Sequence, residues 1–174
     1  MSSHDDTLEP SPFLVEHVKL LPTGRVLDVA MGNGRNAIFL ARAGFTVEGV
    51  DKSPDAVHEA IIASQKAGIS VTATVADLEK EYHIAHDVYD VIICFNYLQR
   101  SLIPYIKKGI RPGGVVVYET FIVDQAQFGR PRNPAHLLQH NELLDMFHDF
   151  RCLRYREGIL AERKAIASLI AQKD

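Results

Sequence analysis

Val26-Leu27-Asp28-Val29-Ala30-Met31-Gly32-Asn33-Gly34-Arg35-Asn36-Ala37 is the stretch whose reading decides the fold. Val26, Leu27 and Val29 form a short apolar run that stops at Gly32 and Gly34, and residues 37–43 return to helical composition. A strand that enters a tight glycine turn and opens a helix presents backbone N–H groups to an anion or a nucleotide, and glycine lets the ligand approach them closely. Gly32, Gly34 and Ala37 also satisfy the G-x-G-x-x-[G/A] dinucleotide pattern, so the glycines alone do not choose between nucleotide ligands.

The alternation repeats on the C-terminal side. Residues 45–50 are a β-rich run closed by Asp51, Pro54 opens a helix that runs to about Ala67 and stops at Gly68, and residues 69–75 form a third strand closed by Asp77. Residues 90–95 are almost continuously apolar, as a central parallel strand requires, and residues 101–108 predict the next helix. Pro112-Gly113-Gly114 reads as a turn ahead of a fifth strand at 115–118. Five strands interleaved with helices predict a doubly wound α/β sheet covered on both faces. Upstream, residues 1–11 read as a flexible tail, and Pro12 opens a helix through Leu21 that would cover a bound cofactor. Residues 12–174 then make a single domain. Downstream, residues 124–139 lack periodicity and read as a long functional loop, a helix follows at 140–148, residues 150–155 are strand-like, and residues 164–171 fit a helix as well as a strand.

Composition narrows the functional classes. The 174 residues are 47% hydrophobic and 24% charged, which excludes a disordered chain. A formal charge of −3 supplies no general attraction for nucleic acid or an anionic membrane. No apolar run reaches the roughly 18–20 residues of a membrane span, and the acidic N-terminus lacks the order of a signal peptide, so a cytoplasmic location is expected. Cys94 and Cys152 offer neither metal-ligand spacing nor a disulfide framework, and Cys94 reads as core.

Around the glycine turn stand four further features in order: Asp28 inside the strand, Asp51 ending the second strand, Asp77 after the third, and the Pro-Gly-Gly turn before the fifth. The combination resembles the class I S-adenosylmethionine-dependent methyltransferases over about two thirds of the chain. It departs from their D-x-G-x-G-x-G pattern at Ala30, a change that is tolerable where the backbone has negative φ. The resemblance implies a Rossmann-like, doubly wound, mostly parallel seven-stranded sheet with helices on both faces and the last strand antiparallel, which assigns residues 162–172 to a strand. It implies S-adenosylmethionine as cofactor and S-adenosylhomocysteine as product. Asp28, Ala30, Gly32, Asn33, Gly34 and Asn36 would meet the methionine end; Asp51, beside Lys52, the ribose hydroxyls; Asp77 and Leu78 the adenine; Asn96, followed by Tyr97, the region of the methyl group. Three carboxylates also offset the charge of a sulfonium partly removed from water. Taken singly, each aspartate is an ordinary turn former and Tyr97 an ordinary core aromatic.

The region 97–155 resembles a subgroup of small methyltransferases named for tellurite resistance or thiopurine methylation, which implies a small acceptor, anionic or a soft nucleophile, and no nucleic-acid or membrane partner. Methyl transfer to a good nucleophile needs alignment and exclusion of water more than a dedicated acid or base. Tyr97, Arg100 and Arg130 are the candidate catalytic residues, with Arg132 as a further anion-binding candidate; the alternative for the arginines is a solvated basic loop. His136 and His140 would share a face if their stretch were helical, but with no third ligand at an obvious spacing they read, like His83 and His86, as surface residues, and no metal is expected. Two rival readings stay open, a nicotinamide-dependent oxidoreductase and a non-enzymatic cofactor sensor. The chain fits a monomer or a homodimer.

Overall fold

A computed structural model describes residues 8–80, 82–160 and 163–174; most of the expected N-terminal tail lies outside them. Strands β1 (Arg25–Val29), β2 (Thr46–Asp51), β3 (Val71–Val75), β4 (Tyr89–Phe95), β5 (Ile110–Phe121), β6 (Arg151–Ile159) and β7 (Ala165–Gln172) form one seven-stranded sheet. Its order is β3-β2-β1-β4-β5-β7-β6. The first five positions are parallel, and β7 runs antiparallel to both β5 and β6.

Register brings the site to one edge. Val29 is level with Val50 and Cys94, Asp51 with Val75, and Cys94 with Tyr118, so the residues that follow β1, β2, β3, β4 and β5 leave the sheet side by side. The reversal of strand order beside β1 opens a crevice there, the place where such sheets bind ligands.

Alternation of side chains fills both faces. Val26, Val91, Ile93, Val115 and Val117 face α1 (Pro12–His17) and α2 (Arg35–Arg42), where they meet Phe13, Leu14 and Leu40. Leu27, Ile92, Val116 and Tyr118 face α4 (Ile103–Gly109) and α5 (Glu142–Met146), where Ile106 and Leu143 are fully buried. Helix α3 (Pro54–Lys66) starts at Ser53, whose hydroxyl accepts the Ala56 N–H at 3.2 Å, and buries Val57 and Ala60 against Met31.

Several boundaries differ from the sequence reading. The Pro-Gly-Gly stretch is not a turn ahead of β5 but a register shift within it, between the pairs Tyr89–Ile110 and Val91–Val115. The N-terminal helix ends at His17 and tightens to a 3-10 turn over Val18–Leu20. The expected loop 124–139 carries two 3-10 turns, Val123–Gln127 and Pro134–His136, and the helix after it covers only Glu142–Met146. Residues 165–172 are a strand, buried along nearly its whole length as an inner position demands. Ser11, expected within the tail, is 1% exposed: its N–H donates to Asn36 Oδ1 at 2.8 Å and its hydroxyl to Glu119 Oε1 at 3.2 Å.

The backbone at Ala30 overturns an expectation. Its φ is +56°, left-handed, as are Gly32 at +56° and Gly34 at +82°. At Gly34 glycine is required twice over, by this conformation and because a Cβ would stand 2.9 Å from that of Ala60. At Ala30 an L-residue occupies a conformation that costs it about 1–2 kcal/mol. Ala30→Gly removes that strain against a smaller loss to the entropy of the unfolded chain, so it is expected to raise the unfolding free energy by about 0.5–1 kcal/mol in urea denaturation.

Candidate functional site

Two cavities open at the carboxyl edge of the sheet and share Asn96. The inner one, about 250 Å³, is walled by Asp28, Asn33, Arg35, Asn36 and Phe95, with Ala30, Met31 and Gly32 along the turn. Asp28 is 2% exposed, and its Oδ2 has no hydrogen-bond partner. Burial pushes this carboxyl up to about 8; Arg35 opposes the shift, the charge of Asp51 adds to it, and the Ala37 N–H lowers it slightly. A cationic donor in the cavity would satisfy the orphaned oxygen and restore the carboxylate, so the residues fit the ammonium of an S-adenosylmethionine-like ligand. Residues 9–11 brace the same wall: Ser11 binds Asn36, and Arg35 donates to the Glu9 carbonyl at 3.3 Å. No residue of helix α1 is among those that line this cavity.

The turn itself is held by its amides. Met31 N–H donates to Val50 O at 3.0 Å, Gly32 N–H to Asp51 Oδ2 at 2.9 Å, and Gly34 N–H to Met31 O at 3.1 Å. Asp51 uses its other oxygen to accept the Ser53 N–H at 2.9 Å. Asp77 accepts the Glu79 N–H at 2.9 Å and lies 3.9 Å from Lys80 Nζ, while Leu78 beside it is buried in the core.

The outer cavity, about 830 Å³, has Lys52 and Glu79 at one end, Tyr97, Leu98, Thr120 and Phe121 along its length, and Arg130, Arg132, Asn133 and His136 at the other. Asn96 has φ +57° and donates its N–H to Glu119 O at 2.9 Å. The Tyr97 carbonyl accepts the Tyr118 hydroxyl at 2.8 Å and the Cys94 thiol at 3.6 Å. Tyr97 Oη donates to Gln99 Oε1 at 2.7 Å, and burial pushes its phenol up to about 12, so at neutral pH it is a hydrogen-bond donor and not a base.

A family model described as tellurite resistance protein TehB matches residues 7–167. The chain belongs to the TehB family. Among solved structures, TehB from Haemophilus influenzae superposes with a TM-score of 0.79 at 21% identity, covering 93% of this chain and 62% of that one. A S-adenosylmethionine-dependent methyltransferase from Mesorhizobium loti superposes with a TM-score of 0.75 at 20% identity, covering 97% and 99%. Both share the fold. Hemagglutinin 1 of Eikenella corrodens is 28% identical over 158 residues, 83% of this chain and 49% of that protein. Ubiquinone biosynthesis O-methyltransferase of Rickettsia prowazekii is 31% identical over 104 residues, 55% and 39%. The chain thus spans about half the length or less of these curated relatives.

Of the expected site residues, Asp28, Ala30, Gly32, Asn33, Asn36, Lys52, Asn96, Tyr97 and Arg130 line the two cavities, whereas Gly34, Asp51, Asp77, Leu78 and Arg100 do not. Arg100 donates through Nε and Nη2 to Glu142 at 2.6 and 3.1 Å, and to the carbonyls of Ala135 and Leu137 at 3.2 and 2.9 Å. With its donors so engaged it is a clamp on the loop that carries His136, and it does not line the outer cavity. His136 and His140 also separate, because the segment turns through a 3-10 bend and is not a continuous helix. His136 enters the cavity wall, while His140 lies outside it, 2.5 Å from Asp124, which raises its pKa. His136, read as a surface residue, is exposed and also lines the outer cavity; Glu79 there and Arg35 at the inner cavity are lining residues that the sequence did not single out. Among the described residues no helix is long and apolar enough to cross a membrane.

Two expectations follow from these contacts. Folded Asp28, with its carboxyl raised to about 8, holds a proton that the unfolded chain releases near pH 4, so stability falls as pH rises through that window, by up to about 1.4 kcal/mol per unit. Asp28→Asn removes this component. Urea denaturation between pH 5 and 7.5 should show a flatter profile for the variant than for the wild type, and parallel profiles would mean that Asp28 is ionised in the folded protein. In Arg100→Ala, amide hydrogen exchange across residues 133–138 should quicken at least tenfold with the sheet unaffected; unchanged protection would deny Arg100 the clamping role.

Proposed function

We propose that the chain is an S-adenosylmethionine-dependent methyltransferase acting on a small acceptor. The observation that carries the reading is the orphaned, fully buried Asp28 oxygen in a cavity that adjoins a larger one at Asn96. Asp28 and Asn36 would hold the methionine end; Asp51, already fixed by two amides, would accept from the ribose; Asp77, Leu78 and Lys52 would border the base. When bound, the cofactor supplies an electrophilic methyl carbon: the acceptor heteroatom bonds to it as the S–C bond breaks, sulfur keeps the electron pair, and the heteroatom's proton leaves to solvent. The chain's own part is to align and to exclude water. Asn96 lines both cavities and Tyr97 the outer one, and their backbone is held by Glu119, Tyr118 and Cys94. Arg130 and Arg132 would orient an anionic acceptor.

Calorimetric titration with S-adenosylmethionine, S-adenosylhomocysteine and NAD in parallel tests this. Micromolar binding of the first two and none of NAD is expected, and Asp51→Ala should weaken the first two by about 1–3 kcal/mol through two lost hydrogen bonds. NAD binding alone would make the chain a dinucleotide protein.

A further inference from the structure

The outer cavity carries more information than the position of an acceptor. Its volume, about 830 Å³, lies in the range of roughly 300–1,000 Å³ that encloses drug-sized organic ligands. Lys52 and Glu79 belong to the part of this space that the cofactor would border, so the acceptor has only the remainder. Even so, a bare inorganic oxyanion, which displaces on the order of one or two waters of about 30 Å³ each, makes no use of the apolar walls. The walls are of two kinds. Tyr97, Leu98, Phe121 and Pro131 present apolar and aromatic surface, which gains nothing from a small hydrated ion. Against them stand three cations, Lys52, Arg130 and Arg132, and one carboxylate, Glu79, a formal balance of +2.

Arg130 and Arg132 are exposed, and among the described residues they are unpaired, as are Arg42 and Arg151 but not Arg100, Arg111 or Arg156. Arg100, Arg111 and Arg156 each have a carboxylate of this chain within 3.5 Å. The side chains of Arg130 and Arg132 make no hydrogen bond or ion pair among the described residues. Both sit in a loop pinned on either side of His136 by Arg100. Two guanidinium groups placed on a fixed wall beside aromatic surface, with no protein anion to meet them, are arranged for an anion that arrives with the ligand.

Taking the methyl-transfer reading above as its basis, we propose that the acceptor is an amphipathic organic acid. Its apolar or aromatic body lies against Tyr97, Phe121 and Pro131, and its carboxylate is held by Arg130 and Arg132. Lys52 and Glu79, at the opposite end of the cavity, are left to the cofactor.

The test uses full-length protein saturated with S-adenosylhomocysteine and titrated calorimetrically with benzoate and phenylacetate as apolar acids, benzamide as the neutral isostere, and selenite as the bare oxyanion. Both acids should bind at least tenfold more tightly than benzamide or selenite. Arg130→Ala combined with Arg132→Ala should lower acid affinity tenfold or more while S-adenosylhomocysteine affinity stays within twofold. Selenite binding as tightly as benzoate would make this an inorganic oxyanion site; benzamide binding equally would show that charge is not read; failure of both acids to bind would overturn the proposal. Loss of S-adenosylhomocysteine binding by the wild type would instead remove the methyl-transfer reading, and the acids titrated against unliganded protein would still decide whether the cavity takes an amphipathic anion.

Discussion

The carboxylate of Asp51 stands between two backbone amides that belong to different parts of the chain, Gly32 in the turn after β1 and Ser53 at the cap of α3. Charge-assisted bonds of this kind are stronger than neutral ones, and here they fasten a left-handed turn to the end of the neighbouring strand. The turn needs such restraints, because three of its residues adopt positive φ and only two are glycine; Met31 N–H on Val50 O and Gly34 N–H on Met31 O add to them. Without Asp51 the amide of Gly32 would lose its partner, and Asp28 would lose the wall that faces it. The most buried charge-bearing group of the site therefore depends on a residue of the adjacent strand.

That dependence has an electrostatic side. Asp28 and Asp51 repel, and with Asp28 removed from water the cheaper arrangement is to keep a proton on it. Arg35 opposes this but does not reverse it. A buried carboxyl left neutral and with one oxygen unbonded is a poor contributor to stability. It makes sense as preorganisation, since a cation entering the cavity would recover at once the hydrogen bond and the ionised form that the folded chain forgoes.

Much of this was legible in the sequence, and for physical reasons. Strand–turn–helix alternation and the aspartates at strand ends follow from periodicity and from the short list of residues that can end a strand, whereas the seven-stranded sheet with its antiparallel last strand came from the family resemblance. Side-chain pairing was not legible. Arg100 and Arg130 look alike as residues near a strand's mouth, and only the fold shows that Glu142, 42 positions away, meets Arg100, whereas the guanidinium of Arg130 has no carboxylate partner among the described residues. The sign of φ at Ala30 was equally hidden, because alanine reports the opposite preference. His136 and His140, four residues apart, part company because a 3-10 bend turns one into the cavity and leaves the other with Asp124.

The two cavities share Asn96; the inner one carries Asp28 and Arg35, and the outer one Lys52, Glu79, Arg130 and Arg132. Transfer of a methyl group from a sulfonium to an anionic or electron-rich heteroatom reduces charge separation as the bond forms. Water stabilises the separated charges of the reactants more than the dispersed charge of the transition state, so excluding it favours the reaction. Fixed protein charges can still bind both partners, provided each cluster touches its ligand away from the reacting atoms. The arrangement meets that condition: Asp28 and Arg130 line separate cavities, and the residue these share, Asn96, has an amide side chain without charge. Binding would then draw on ionic contacts at the periphery, while the reaction centre stays free of the fixed charge that would hold the reactants in their ground state.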